Sequence, residues 1–199
     1  MRIADRAPLF EAGPYRCHEL MPEDAPALQR FYESNPEYSR TVEGEAPRPE
    51  AALEIFKAGP PPGWPFDRKW LLGFTDRDGS LVAMADVITN LLAEGVWHVG
   101  LFIVATTLHG SGAARTMYDA LEAWMKSCGA RWSRLGVVTG NDHALRFWTG
   151  RGYVEVRVRR GVPMGKRVND IRVMMKPLAG GTLPEYLAIV ERDRIETGR

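Results

Sequence analysis

Apolar residues recur at helical spacing over one long segment of the chain, and at strand spacing or continuously over several short ones. The helical segment begins near Ala113 and is stopped by Gly129. Its predicted buried face carries Ala113, Met117, Leu121 and Trp124. Just upstream, Val96–Val104 is rich in β-branched and aromatic residues, which predicts a strand buried on both faces. The glycine-rich turn Leu108–Gly112 joins this strand to the helix.

The rest of the pattern predicts further strands and helices. Strands are expected at Tyr15–Met21, Lys69–Thr75, Leu81–Thr89, Arg134–Thr139, Tyr153–Arg160 and Asp170–Lys176. Helices are expected at Pro22–Ser34, Glu50–Lys57 and Pro184–Arg192, with a short one after Asn141. Asp78 and Gly79 predict a tight hairpin, and a second hairpin is expected around Asn90 and Gly95. Residues 35–49, 59–65 and 161–169 are expected to be irregular because polar residues, glycine and proline dominate them.

Strands that come first in hairpins and then alternate with helices predict one fold class. We expect an α/β (α+β) fold with a mixed, mostly antiparallel central sheet of about six to seven strands flanked by helices. A chain of 199 residues with 45% apolar residues suits one domain, or one domain with a tail.

The turn before the long helix has the composition of an anion site. Gly110 and Gly112 can adopt backbone angles that other residues disfavour, so amide N–H groups can converge at the positive end of the helix, where a phosphate fits. The segment contains neither the Lys-Ser nor the Lys-Thr pair of a P-loop, and its spacing differs from the dinucleotide fingerprint. Taken alone, the turn is equally consistent with a plain helix cap.

Charge and cysteine content exclude several classes of protein. The formal net charge of +1 argues against a general nucleic-acid binder. The N-terminal stretch has no signal-peptide pattern and no apolar run is long enough to cross a bilayer, so we expect a cytoplasmic protein with no membrane partner. Cys17 and Cys128 lie far apart and form no metal-spaced cluster, so no metal site is expected.

A second block, residues 140–156, adds a capped helix with an aromatic pair. The two blocks together resemble the GNAT superfamily of acyl-CoA-dependent N-acyltransferases. His109–Ala114 is similar to the pyrophosphate loop of that family, with Gly112 and Ala114 at its two small positions and His109 in place of the usual Gln or Arg. The family pattern of the second block is matched by Asn141, Ala144, Phe147, Trp148, Gly152 and Tyr153.

The resemblance implies a splayed sheet, with one domain over residues 1–178 and an extension with a short helix over residues 179–199. It implies acetyl-CoA, or another acyl-CoA, as cosubstrate with no metal, a small-molecule or peptide amine as acceptor, and possible homodimerisation. The residues it assigns to cofactor binding are Phe102, Ile103, Val104, His109, Gly110, Ser111, Gly112, Ala113, Ala114, Asn141, Ala144, Phe147 and Trp148.

Two positions depart from the family pattern at the reacting centre. Trp148 stands where many relatives have a tyrosine acid, and Gly100 stands where an acidic residue is common. His98 is the predicted catalytic residue, because an imidazole with an ordinary pKa of about 6.5 relays protons near neutral pH. A histidine that only satisfies a sheet margin is the alternative. Further candidate proton acceptors are Asp86, Glu37, Glu43, Glu45 and Tyr38.

Three functions follow from these observations. The first is an acetyl-CoA-dependent N-acetyltransferase acting on a primary amine, and the second is a catalytically silent CoA-binding or regulatory module. The third is an interaction subunit that docks through Leu183–Ile195. Arg157, Arg159 and other cations of residues 151–176 suit an acidic acceptor, the 3′-phosphate of the cofactor, or a solvated strand edge.

Overall fold

The computed structural model describes residues 3–194, which form one eight-stranded sheet with helices on both faces. The strands are β1 (Phe10–Ala12), β2 (Tyr15–Glu19), β3 (Arg68–Thr75), β4 (Leu81–Thr89), β5 (Val96–Val104), β6 (Trp132–Val138), β7 (Val154–Met164) and β8 (Arg167–Pro177). The helices are α1 (Ala25–Ser34), α2 (Glu37–Val42), α3 (Ala51–Lys57), α4 (Ala113–Ser127), α5 (Asp142–Gly150) and α6 (Leu183–Ile189). The strand order in the sheet is β1-β2-β3-β4-β5-β6-β8-β7, and within residues 3–194 only β5 and β6 pair in parallel.

The predicted fold class is confirmed, with one correction to the strand count. The sheet has eight strands within the described residues, rather than the six to seven expected. The additional strand is β1, which has three residues and pairs with β2 through a turn at Gly13, where φ is 62°. Three residues are too few to show an alternating pattern, so periodicity does not detect such a strand.

Two segments that were expected to be irregular are ordered instead. Residues 37–42 form α2, which starts directly after Pro36. The long connection expected between the last two strands is a tight turn at Gly165, where φ is 58°. A register shift between Arg159 and Val162 accommodates Gly161 within β7, so the glycine marks a bulge and not the end of the strand.

The sheet opens between its two parallel strands. β5 and β6 pair from Val96 and Trp132 to Val99 and Leu135, and no register partner joins them beyond that point, although both strands continue. On the other side of β5, a register shift opposite Asp86 leaves Gly100 without a partner in β4. The splay that the family resemblance implied is therefore present, and a bulge lies beside it.

The two faces of the sheet carry different layers. Residues of α4, including Met117 and Leu121, pack with Val99 in the largest core cluster, and we call this side the α4 face. The other side, the α1 face, is covered by α1 and α3 around Leu28, and by the C-terminal segment through Tyr186. Because side chains alternate along a strand, neighbouring residues of β5 and β6 point to opposite faces.

The C-terminal segment packs on the sheet instead of extending away from it. Tyr186 and Val190 are buried against Val96 and Trp132. The division into residues 1–178 and 179–199 stays a prediction, and residues 195–199 lie outside the described part of the chain, as does Ile195 of the predicted docking segment. No helix among residues 3–194 has the length and apolar character needed to span a membrane.

Candidate functional site

A cleft of about 840 Å³ occupies the opening between β5 and β6. Val99 and Gly100 line it from one strand, and Leu135 and Gly136 line it from the other. His98 and all of the predicted cofactor-binding residues except Ser111 and Ala113 line this one cleft. Of the further candidate proton acceptors, Glu37 and Tyr38 line it, whereas Asp86, Glu43 and Glu45 do not. Concave sites of this size in the middle of a sheet are typical places for a small-molecule ligand.

The glycine-rich turn at one end of the cleft leaves several amide groups available. Gly110 and Gly112 have φ values of 78° and 86°, which other residues rarely adopt. A Cβ atom at either position would have no neighbour within 4 Å, so open space lies beside the turn. The backbone N–H groups of Gly110, Gly112, Ala114 and Arg115 have no hydrogen-bond acceptor within residues 3–194. Unpaired amides at the start of a long helix bind anions.

Ser111 does not contribute its own amide to this set. Its N–H and its hydroxyl both point to the carbonyl oxygen of Leu108, at 3.3 and 2.6 Å. The hydroxyl oxygen also accepts the N–H of Ala113 at 3.2 Å. Ser111 therefore holds the turn in shape, and the free amides lie on either side of it.

Aromatic residues and a helix cap form the wall of the cleft on the α4 face. Phe102 of β5 stacks on Phe147 of α5 with the ring centroids 6.2 Å apart and an interplanar angle of 20°. Trp148 packs edge-on against Tyr118 and is 8% exposed, so its indole fills the core. Asn141 caps α5 by accepting the N–H of Ala144 at 3.1 Å. These contacts make the wall rigid and largely apolar.

His109 closes the end of the turn against β5. Its Nε2 lies 3.1 Å from the carbonyl oxygen of Val104, and its ring stacks on His143 with the centroids 6.0 Å apart. Between Phe102 and Val104, β5 has no partner strand on the side of β6. This free strand edge leads from the turn to the middle of the splay.

His98 lies on the α1 face beside Arg134, which is its register partner on β6. Burial and the Arg134 charge lower the pKa of His98 to about 3. The imidazole is therefore neutral near pH 7. Nδ1 of His98 lies 3.4 Å from a guanidinium nitrogen of Arg134, and since guanidinium only donates, this contact favours the tautomer with the imidazole proton on Nε2.

Asp86 also lies on the α1 face, directly behind Gly100. One carboxylate oxygen would be 3.5 Å from a Cβ atom at position 100, and Lys69 Nζ lies 3.3 Å from it. The other oxygen, Oδ1, is buried and has no hydrogen-bond partner in the described chain. Burial raises the pKa of Asp86 to about 6, although Lys69 opposes this. Tyr32 and Tyr38 are also close, since the Asp86 charge contributes, after burial, to raising the pKa of each.

Residues 27–153 match the model of the acetyltransferase (GNAT) family. The match covers more than half of the 199-residue chain. This chain belongs to the GNAT acetyltransferase family. The resemblance carried by the two sequence blocks is thereby confirmed, and no curated protein matches the chain.

Solved structures of acetyltransferases share the fold. The ribosomal-protein-S18-alanine N-acetyltransferase of Escherichia coli superimposes with a TM-score of 0.63 at 16% identity, covering 85% of this chain and 97% of that chain. The spermidine N-acetyltransferase of Vibrio cholerae, in complex with CoA and spermine, gives 0.64 at 15% identity over 83% and 96%. A GCN5-related N-acetyltransferase from Kribbella flavida gives 0.60 at 18% identity over 84% and 100%.

Within this GNAT fold, the C-terminal segment supports the cleft from behind, because it holds Arg134, which lines the cleft. Asp193 pairs with Arg134 through two bonds of 2.7 and 2.9 Å, and Tyr186 donates a hydrogen bond to the same carboxylate. Arg134 is 3% exposed and Asp193 is fully buried. Burial alone would raise the pKa of Asp193, but the hydrogen bonds and charge of Arg134 lower it overall.

The ion pair between Arg134 and Asp193 was not predicted from the sequence. Asp193 is separated from Arg134 along the chain and stands in a charged run that suits a solvated surface. The apolar face of α6 was the only signal that the segment packs on the sheet. No group of three or more metal-ligating side chains lies together within residues 3–194.

Proposed function

We propose that this protein is an acetyl-CoA-dependent N-acetyltransferase that modifies a primary amine of a small molecule or peptide, in the cytoplasm. The observation that carries the proposal is the set of unpaired amides at Gly110, Gly112, Ala114 and Arg115, which opens onto a splayed sheet edge. A diphosphate needs several convergent donors, and an extended amide-containing arm suits a free strand edge.

The residues present fit acetyl-CoA along the whole α4 face of the cleft. The turn around Gly112 would hold the diphosphate, the edge of β5 from Phe102 to Val104 would bind the pantetheine amides, and Phe147 would pack on the arm. Acetyl-CoA supplies the activated acetyl group when bound. The protein then has to position the amine and accept its proton.

Asp86 is suited to accept the proton that the amine loses. Family members commonly carry an acid at the position of Gly100. Here Gly100 has no side chain, and the Asp86 carboxylate lies directly behind this cleft-lining residue. Its pKa of about 6 keeps it ionised at pH 7 while making it a stronger base than an ordinary carboxylate. His98 stays a proposed catalytic residue, now as a neutral donor through Nε2, because Nδ1 accepts from Arg134.

A catalytically silent CoA-binding module is the second candidate, and it is favoured by Trp148. Its buried indole N–H is far too weak an acid to protonate a departing thiolate, so the family's tyrosine acid has no equivalent at that position. A broad panel of primary amines, with free thiol release as the readout, separates the two functions. Turnover above the uncatalysed rate excludes the silent module.

Calorimetric titration with acetyl-CoA tests the binding step. Gly112→Trp should weaken binding by at least about a hundredfold, because the indole would fill the open space into which the amides point. Gly129→Trp is the matched control, since Gly129 also has positive φ (99°) and an open Cβ position but lies at the other end of α4. No binding by the unmodified chain, or equal loss in both variants, would contradict the proposal.

A further inference from the structure

Arginine side chains gather around one tryptophan at the end of the cleft on the α1 face. Arg134 and Arg159 line the cleft with Trp64, and Arg192 of the C-terminal segment lies beside them. The three guanidinium carbons are 5.7, 5.4 and 4.8 Å from the Trp64 ring centroid. A cation–π contact orients a guanidinium while leaving its N–H donors available. We call these four residues the arginine–tryptophan cluster.

The charge of the arginine–tryptophan cluster is only partly compensated. Asp193 neutralises Arg134. Arg159 and Arg192 form no ion pair and donate no side-chain hydrogen bond within residues 3–194. Arg157 adds a further cation, because it donates to the backbone carbonyl of Arg192 and not to a carboxylate. Burial, together with the charges of the other arginines, lowers the pKa of Arg159.

Like charges held together in a partly buried place repel one another, and a bound anion relieves that repulsion. We infer that the acceptor is a primary amine that also carries a carboxylate, and that Arg159 binds this carboxylate. The planar guanidinium of arginine matches a carboxylate through two parallel hydrogen bonds. The ring of Trp64 provides an apolar surface for the carbon skeleton beside it. This inference rests on the proposed N-acetyltransferase function and names the chemistry of its second substrate.

The position of Arg159 indicates that the anion it binds belongs to the amine acceptor and not to the cofactor. Arg159 is the register partner of Ile171 and faces Trp64, which places it on the α1 face. The free amides around Gly112 precede α4, whose side chains pack against the other face. A coenzyme held by those amides would reach the splay from the α4 face, so the arginine–tryptophan cluster is left to the amine substrate.

Product binding tests the inference without requiring turnover. The full chain is titrated with a panel of N-acetyl-amino acids and with the matching N-acetyl-amino-acid amides, both with and without saturating CoA. At least one carboxylate should bind ten times more tightly than its amide. Arg159→Gln should remove that difference, and Arg159→Lys should restore part of it. The matched control is Arg160→Gln, because Arg160 is next on the strand, 82% exposed at its side chain and paired with Asp170.

Several results would overturn the inference. Equal binding of every carboxylate and its amide is one, and a preference that survives Arg159→Gln is another. If N-acetyl-O-phosphoethanolamine binds more tightly than every carboxylate, the acceptor carries a phosphate instead of a carboxylate. A tenfold loss of acetyl-CoA affinity in Arg159→Gln would assign the arginine to the 3′-phosphate. If the unmodified chain fails to bind acetyl-CoA, the proposed function fails by itself, and a carboxylate preference that depends on Arg159 still supports the site.

Discussion

The two walls of the cleft present their polar groups in different ways. On the α4 face, the donors are backbone amides of a few consecutive residues around Gly112, held by the turn and by the start of α4. On the α1 face, the polar groups are side chains from separate strands and from the C-terminal segment. His98, Arg134 and Arg159 line the cleft, and Asp86 and Asp193 lie behind this wall, next to Gly100 and Arg134.

This difference suits the two substrates of a GNAT enzyme. In the proposed function, backbone amides recognise the diphosphate of the cosubstrate, and any sequence that forms the turn provides such amides. Side chains recognise whatever amine the particular enzyme uses, and their charges change with single substitutions. The α4 face should therefore tolerate side-chain changes that preserve the turn, whereas the α1 face should respond strongly to the loss of one charged group.

The largest effect is expected at the buried ion pair of the α1 face. Asp193→Asn leaves the Arg134 cation buried without its partner, which should lower the free energy of unfolding by about 3–5 kcal/mol. The control Glu54→Gln breaks an exposed pair with Arg48 and should cost less than about 1 kcal/mol. Urea unfolding of both variants measures the difference.

The same pair sets a pH dependence of stability. The pKa of Asp193 is lowered in the folded chain, so its stabilisation is present above the unfolded pKa of about 3.9 and is lost as the pH falls through the folded value. The unmodified chain and Asp193→Asn should therefore converge in stability on acidification. If the two proteins differed by the same free energy of unfolding at every pH, the charge of the Asp193 carboxylate would contribute nothing to stability.

The next effect concerns Asp86, the proposed proton acceptor. Asp86→Asn should lower kcat by about a hundredfold, because an amide does not accept the amine proton. The carboxylate accepts a proton only when ionised, so the rate of the unmodified enzyme should rise with pH through about 6, and the variant should lack this limb. Acetyl-CoA affinity should stay the same in both. Glu37→Gln is the control, since Glu37 lies in the exposed part of the cleft and pairs with Thr106. A variant that keeps its rate and its acid limb would exclude Asp86.

A smaller effect is expected at His98. In its proposed role, the neutral imidazole donates one hydrogen bond through Nε2, so His98→Ala should lower kcat by about fivefold, the value of one hydrogen bond. Because the pKa of His98 is about 3, the acid limb near pH 6 should not move. His98→Gln keeps an N–H donor and should recover part of the rate. A limb that shifts or disappears in His98→Ala would instead assign the titration to the imidazole.

The two walls also differ in how far the sequence predicts them. The turn around Gly112 and the period of α4 lie in one continuous stretch, so local rules predict both the helix and the anion site. Asp86 was one of several candidate acids, and nothing local distinguished it. Its position behind Gly100 depends on the bulge opposite Asp86, which is a property of strand pairing between two segments.

Long-range pairing explains what could not be predicted on the α1 face. The contact between Arg134 and Asp193 joins residues far apart in the chain, and both are charged types that are usually exposed. The helix α2 was not predicted, because it has only six residues, follows a proline and lies in a polar stretch without a helical pattern of apolar residues. The cations of β7 left an acidic acceptor, the cofactor 3′-phosphate and a solvated strand edge open as alternatives, and the structure places one of these cations, Arg159, on the cleft.

The smallest effect is expected at Ser111, and it tests whether the α4 face works through its backbone. The Ser111 hydroxyl is engaged with the Leu108 carbonyl and the Ala113 amide, so Ser111→Ala loosens the turn but frees one more amide for a bound anion. These consequences oppose each other, and acetyl-CoA affinity by calorimetry should change by less than about fivefold. A hundredfold loss would mean that the hydroxyl itself binds phosphate, and then the α4 face would depend on side chains as much as the α1 face does.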